Sequence, residues 1–110
     1  MIDLHGYRLF ITGAGSGIGL ATASLARTLG AVIAGTVQGA EQNSALAEFV
    51  EPGLIFDLDV TNSAALDQAV ESAISQLGGL DGAMGCAGMI KLLPSTETTD
   101  EVWENVIGVN

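Results

Sequence analysis

The apolar positions fall in short blocks separated by glycine-rich breaks. Tyr7-Arg8-Leu9-Phe10-Ile11 reads as a strand that runs into a cluster of glycines between Gly13 and Gly19. From Ile18 to Leu29 the residues Ile18, Ala21, Leu25 and Leu29 recur at helical spacing, and Gly30 ends the run. Val32 to Val37 is a second apolar block, partly β-branched. Glu41 to Phe49 favours helix, and Pro52-Gly53 breaks it. Leu54-Ile55-Phe56 predicts a third strand. Thr61-Asn62-Ser63 can cap a helix running from about Ala64 to Leu77, which Gly78-Gly79 would end. Asp81 to Cys86 predicts a fourth strand. Thr98 and Glu101 have capping-box spacing ahead of a last helix containing Val102, Trp103, Val106 and Ile107.

The resulting order, β-α-β-α-β-α-β-α, predicts an α/β fold. The strand blocks are continuously apolar rather than alternating, as expected when both faces of a parallel sheet are covered. Crossover connections would then give a doubly wound parallel sheet with helices on both faces. No linker, repeat or low-complexity segment divides the chain, so residues 1–110 are expected to form a single domain.

Composition narrows the partners. The chain has 110 residues, of which 48% are hydrophobic and 15% charged, so it can bury a core and is not a disordered tail. Its net charge is −10, with Arg8, Arg27 and Lys91 as the only cations besides the N-terminus. That balance repels a phosphate polymer and excludes nucleic acid and anionic membrane surfaces as expected partners. The single cysteine, Cys86, cannot form an internal disulfide, which fits a reducing cytoplasm. Met1 to Gly6 carries Asp3 and no basic n-region, so no signal peptide is expected there, and no apolar run has the length of a membrane span.

The candidate chemistry lies in Thr12-Gly13-Ala14-Gly15-Ser16-Gly17-Ile18-Gly19. This loop stands between a strand and a helix, at the strand's carboxyl end, where open α/β sheets bind ligands. Backbone N–H groups at the start of the helix, helped by its dipole, can hold a pyrophosphate without any Lys or Arg. Gly13 can take the tight-turn angles, Gly17 lets backbone approach an anion, and Gly19 lets the helix pack closely. Ser16 adds a hydroxyl. The spacing is G-x-x-x-G-x-G, distinct from G-x-G-x-x-G and, without a following Lys, from a Walker A loop. A turn serving packing only is the competing reading. The strand before and the helix after favour phosphate binding.

Four motifs in register resemble the short-chain dehydrogenase/reductase family over nearly the whole chain. Thr12 to Gly19 matches its T-G-x-x-x-G-x-G cofactor loop. Asp59-Val60 matches its acidic residue that bonds the adenine ring, with the main chain after it. Ala87-Gly88 matches the second half of its N-N-A-G motif, and Trp103 to Asn110 its W-x(6)-N helix. The resemblance implies a Rossmann-like sheet of about four strands in spatial order 3-2-1-4, incomplete relative to the family. It implies an NAD or NADP cofactor bound by Gly13, Gly15, Ser16, Gly17, Ile18, Gly19, Thr36, Asp59, Val60, Ala87 and Gly88. It implies a catalytic-tetrad role for Asn110.

Departures from the family limit what can be carried over. Gly85 and Cys86 replace the two asparagines. Thr36-Val37-Gln38 ends the second strand with neither the acid that favours NAD nor the base that favours NADP, and the lack of any basic group tilts the choice to NAD. The family's Ser and Tyr-x-x-x-Lys are absent: Tyr7 is the only Tyr and Lys91 the only Lys. The fourth strand would be a bare parallel edge, so self-association or a homo-oligomer through it is expected. Three functions follow from these residues. The chain is the dinucleotide-binding part of an oxidoreductase acting on an alcohol or ketone, not competent alone. Or it is an oxidoreductase completed by another chain. Or it is a non-enzymatic module for cofactor sensing or association. Cys86 reads as a small buried hydrophobe, His5 as without a function, and Asp57 as a solvated or capping group.

Overall fold

The structure, a computed structural model, describes residues 3–85 and 90–92. Its strands are β1 (Arg8–Ile11), β2 (Val32–Val37), β3 (Ile55–Asp57), β4 (Gly82–Met84) and β5 (Ile90–Leu92). Its helices are α1 (Gly17–Thr28), α2 (Ala40–Ala47) and α3 (Ser63–Leu77). The strands make one sheet in the order β3-β2-β1-β4-β5. The first four are parallel, with Phe10 opposite both Ala34 and Ala83 and Thr36 opposite Phe56. The expected Rossmann-like order 3-2-1-4 is thus present, and each helix links one parallel strand to the next.

One expectation is corrected. The fourth strand is not a bare edge: β5 returns and pairs antiparallel with it, placing Ile90 opposite Met84 and Leu92 opposite Gly82. An unpaired parallel edge leaves a row of backbone donors and acceptors that need partners. Here the same chain supplies them, so the edge on which self-association was predicated is taken. Cys86, Ala87, Gly88, Trp103, Asn110 and the expected last helix lie outside the described residues.

Local chemistry explains where the elements stop. Asn62 caps α3, its side chain accepting from the Ala65 N–H at 3.1 Å. Gly78, left-handed with φ 80°, closes that helix. Pro52–Leu54 forms a short 3-10 turn that feeds β3. Phe10, Ile11, Leu46 and Leu80 are the largest fully buried apolar side chains after folding, and Phe10 stacks near Phe56 with ring centroids 6.2 Å apart.

The helical stripe expected of α1 is also corrected. Ile18, Ala21 and Leu25 face outward, Ile18 being 71% and Leu25 61% exposed. The buried face is Gly19, Ala23 and Ala26. Small residues let the helix lie close on the sheet next to the glycine loop, where a bulky stripe would hold it away.

At the amino end of the sheet, Arg8 and Asp81 fasten β1 to β4. The Arg8 guanidinium donates to the two Asp81 oxygens at 2.9 and 3.1 Å, and its Nη1 donates to the Leu77 carbonyl at 3.3 Å. The Arg8 N–H donates to Asp81 Oδ2 at 2.9 Å, and the Asp81 N–H donates back to the Arg8 carbonyl at 2.8 Å. The hydrogen bond from Arg8 holds the Asp81 carboxyl below the usual carboxylate range. This clasp was not anticipated from spacing, because its partners are 73 residues apart.

Candidate functional site

At the opposite end of the sheet, the loop after β1 turns under Thr36. The Gly13 N–H donates to Thr36 Oγ1 at 3.0 Å, and the Ala14 N–H donates to the Thr36 carbonyl at 2.9 Å. The Thr12 N–H donates to the Met84 carbonyl at 2.9 Å, joining the loop to the end of β4. Gly13, with φ 67°, makes the turn in the left-handed region that a side chain would resist. Gly19 sits directly on that turn. A Cβ there would strike the Gly13 carbonyl oxygen, so the close contact expected of Gly19 is between α1 and the loop itself.

Ser16 precedes α1 with extended backbone, and its side chain makes no capping bond. Leu20 is the first helical N–H to reach back, to the Ser16 carbonyl at 3.2 Å. The N–H groups of Gly17, Ile18 and Gly19 come before it and bond no acceptor among the described residues. This is the general condition of a helix N-terminus, and it leaves donors and the positive end of the dipole for an anion.

These groups border a cleft of about 520 Å³. Of the residues expected in the site, Gly13, Ser16, Ile18, Gly19, Thr36 and Val60 line it. Thr12, Val37, Gln38, Gln42 and Thr61 line it as well and were not among them. Gly15 is buried behind the wall, where a Cβ would collide with Gln42 and Val37. Gly17 is exposed at the first position of α1. Asp59 stands beside the cleft through its neighbours Val60 and Thr61. Its Oδ1 accepts from the Thr61 N–H at 2.9 Å and the Thr61 hydroxyl at 2.8 Å. Those two bonds, the backbone one first, lower its pKa, so it holds a negative charge at the lip. Ala87, Gly88 and Asn110 lie outside the described residues.

Nothing in the sequence period marks Gln42. It is brought to the cleft by the turn into α2. The Gln38 N–H donates to Gln42 Oε1 at 2.9 Å, and the Gly39 N–H donates to Asp57 Oδ1 at 3.2 Å. Asp57 is exposed and bonds the residue ahead of α2, and no side chain caps the first turn of that helix. Taken together, the cleft presents backbone donors at α1, hydroxyls at Ser16 and Thr36, and apolar side chains at Ile18, Val37 and Val60. No Lys or Arg among the described residues lines it. That set fits a dinucleotide: amides and dipole for a pyrophosphate, flat apolar contacts for an aromatic base, hydroxyl and amide groups for a sugar.

Comparisons with known proteins agree with this geometry. The family model of the short chain dehydrogenases matches residues 8–110. Among curated relatives, the short chain dehydrogenase adrF of Penicillium rubens is 38% identical over 93% of this chain and 40% of its own length. The D-threitol dehydrogenase of Mycolicibacterium smegmatis is 33% identical over 97% of this chain and 43% of its own. Among solved structures, a short-chain dehydrogenase/reductase of Serratia marcescens superposes with a TM-score of 0.71 at 29% identity, covering 98% of this chain and 46% of that one. The 3-ketoacyl-(acyl-carrier-protein) reductase of Brucella melitensis, solved in complex with NADH, gives 0.67 at 26% identity over 97% and 45%. The chain spans less than half the length of each of these proteins.

Proposed function

Because the chain belongs to the short-chain dehydrogenase family, we propose that its cleft holds a nicotinamide dinucleotide and that the chain is the dinucleotide-binding part of an NAD(P)-dependent oxidoreductase. The observation that carries this reading is the loop from Thr12 to Gly19. Its turn is fixed by Thr36, and its helix presents unbonded N–H groups to the cleft. Gly17, Ile18 and Gly19 bind the pyrophosphate through backbone. Ser16 and Thr36 supply hydroxyls. Val60 packs on the adenine, and Asp59 accepts from its amino group. The Ala87-Gly88 backbone extends the same site, and Asn110 takes the family's catalytic position.

When bound, the cofactor supplies or accepts the hydride in the oxidation of an alcohol or reduction of a ketone. The accompanying proton needs a positioned acid/base. The only Tyr, Tyr7, precedes β1 at the end of the sheet away from the cleft, and the only Lys is Lys91. These 110 residues are therefore proposed to bind cofactor without turning it over alone. NAD is preferred to NADP, because no basic side chain among the described residues lines the cleft to receive a 2′-phosphate. The single cysteine is consistent with the cytoplasm as the compartment. No helix among the described residues is long and apolar enough to cross a membrane.

Calorimetric titration of the purified chain tests the reading. Saturable binding of NAD is the expected result, and no heat with either NAD or NADP at millimolar concentration overturns it. Oxidation of NADH by the chain in the presence of a ketone panel would overturn the statement that it does not act alone.

A further inference from the structure

The end of β2 is where dinucleotide-binding folds place an acid that accepts from the adenosine ribose hydroxyls. Here β2 brings no acid to that corner. Val37 is apolar and 1% exposed. The Thr36 hydroxyl accepts from the Gly13 N–H, and the Gln38 N–H is already bonded to Gln42. Gln42 is held from two sides: its Oε1 on the Gln38 N–H at 2.9 Å, and its stem against Gly15, so close that Gly15 has no room for a Cβ. A backbone N–H takes only the carbonyl oxygen of a carboxamide, which fixes the orientation of the group. The Gln42 Nε2 then carries two donors, bonds nothing among the described residues, and belongs to a side chain that lines the cleft.

We propose that Gln42, reaching over from α2, reads the adenosine ribose in place of an acid on β2. This rests on the cofactor reading above. Gln42 donates to a ribose hydroxyl oxygen from a position that packing has already fixed, so little freedom is lost on binding. Gln38 also lines the cleft, but its side chain is exposed and makes no bond that would hold it. Selection against NADP comes from a different group. Asp57, opposite Val37 in the sheet and bonded to the Gly39 N–H, puts a carboxylate at the same corner. A 2′-phosphate would meet that charge with no cation among the lining residues to offset it.

The test is calorimetric titration of the full chain with NAD and NADP, for wild type, Gln42→Ala, Gln42→Glu and Gln38→Ala. Far-UV circular dichroism verifies that each variant keeps α2. Gln42→Ala is expected to weaken NAD by about three- to tenfold, the range of one neutral hydrogen bond. Gln38→Ala is expected to weaken NAD by less than Gln42→Ala does, since no bond among the described residues holds the Gln38 side chain in place. Gln42→Glu keeps an oxygen for the Gln38 N–H and aims a carboxylate at the ribose. It should hold NAD and widen the NAD to NADP ratio by about tenfold or more, through like-charge repulsion. If Gln42→Ala binds NAD as wild type does, or the ratio is unchanged in Gln42→Glu, the assignment is overturned while the cofactor reading stands. A wild-type chain that takes up neither cofactor overturns the cofactor reading itself, and the assignment with it.

Discussion

Replacing Thr36 by Val isolates the one side-chain bond that shapes the glycine loop. Val keeps the β-branch and the strand preference of the site. The Thr36 carbonyl still accepts from the Ala14 N–H, because that bond is made by backbone. What disappears is the acceptor of the Gly13 N–H, at a side chain 1% exposed. A buried donor left without a partner costs about 1–3 kcal/mol. The methyl that replaces the hydroxyl returns up to about 0.8 kcal/mol through burial. A net destabilisation of about 1–2 kcal/mol is expected, or roughly 4–8 °C in Tm for a chain of this size. Urea unfolding followed by far-UV circular dichroism gives the energy. Amide hydrogen exchange at Gly13 gives the cause: protection should fall in Thr36→Val and persist in Thr36→Ser, which keeps the hydroxyl. A Thr36→Val chain as stable as wild type, with Gly13 still protected, would refute the reasoning.

Three further outcomes follow from single contacts. Gly19→Ala drives a methyl into the Gly13 carbonyl, so α1 must lift from the loop; a loss of about 1–3 kcal/mol in urea unfolding is expected, together with loss of NAD binding. Asn62→Ala removes the cap on the Ala65 N–H and should cost about 1 kcal/mol by the same measurement, with cofactor affinity unchanged because α3 does not line the cleft. The Asp81 carboxyl titrates lower when folded than when unfolded, so the Arg8 clasp contributes fully above the unfolded value and fades as pH falls through the folded one. In Tm measured against pH, Asp81→Asn should therefore lie below wild type at neutral pH and begin to converge with it only as pH falls below about 4. A constant gap down to strong acid would show that the clasp does not work through ionisation.

The parts of this fold legible in the sequence are those written in local signals. The block Val32 to Val37, the Asn62 cap and the glycines after β1 and α3 each mark a boundary by their own chemistry. They place β2, α3 and the loop to within a residue or two. The face of α1 was not legible in that way. Periodicity favours the large residues Ile18, Leu25 and Leu29, but the helix buries Gly19, Ala23 and Ala26. The distance set by the loop decides which stripe fits, and a hydrophobic period carries no distance. The antiparallel β5 and the Arg8–Asp81 clasp escape for a related reason. The clasp joins positions 73 residues apart, while β5 is a run of only three residues, and neither leaves a repeat or a motif.

Gln42 shows how the two kinds of information meet at the site. In the sequence Gly15 stands within the glycine loop, among the residues that the family resemblance assigns to the cofactor. In the structure its lack of a side chain makes space for a residue 27 positions later, on a different helix. All the lining residues fall between Thr12 and Thr61, within β1-α1-β2-α2-β3 and the turn that follows. Among the described residues the cleft is therefore walled by the first half of the sheet, with the Thr12 N–H tied to the Met84 carbonyl at the end of β4. If the cleft holds a dinucleotide as proposed, substitutions at Gly15, Thr36 and Gln42 should change which one is held, and how tightly.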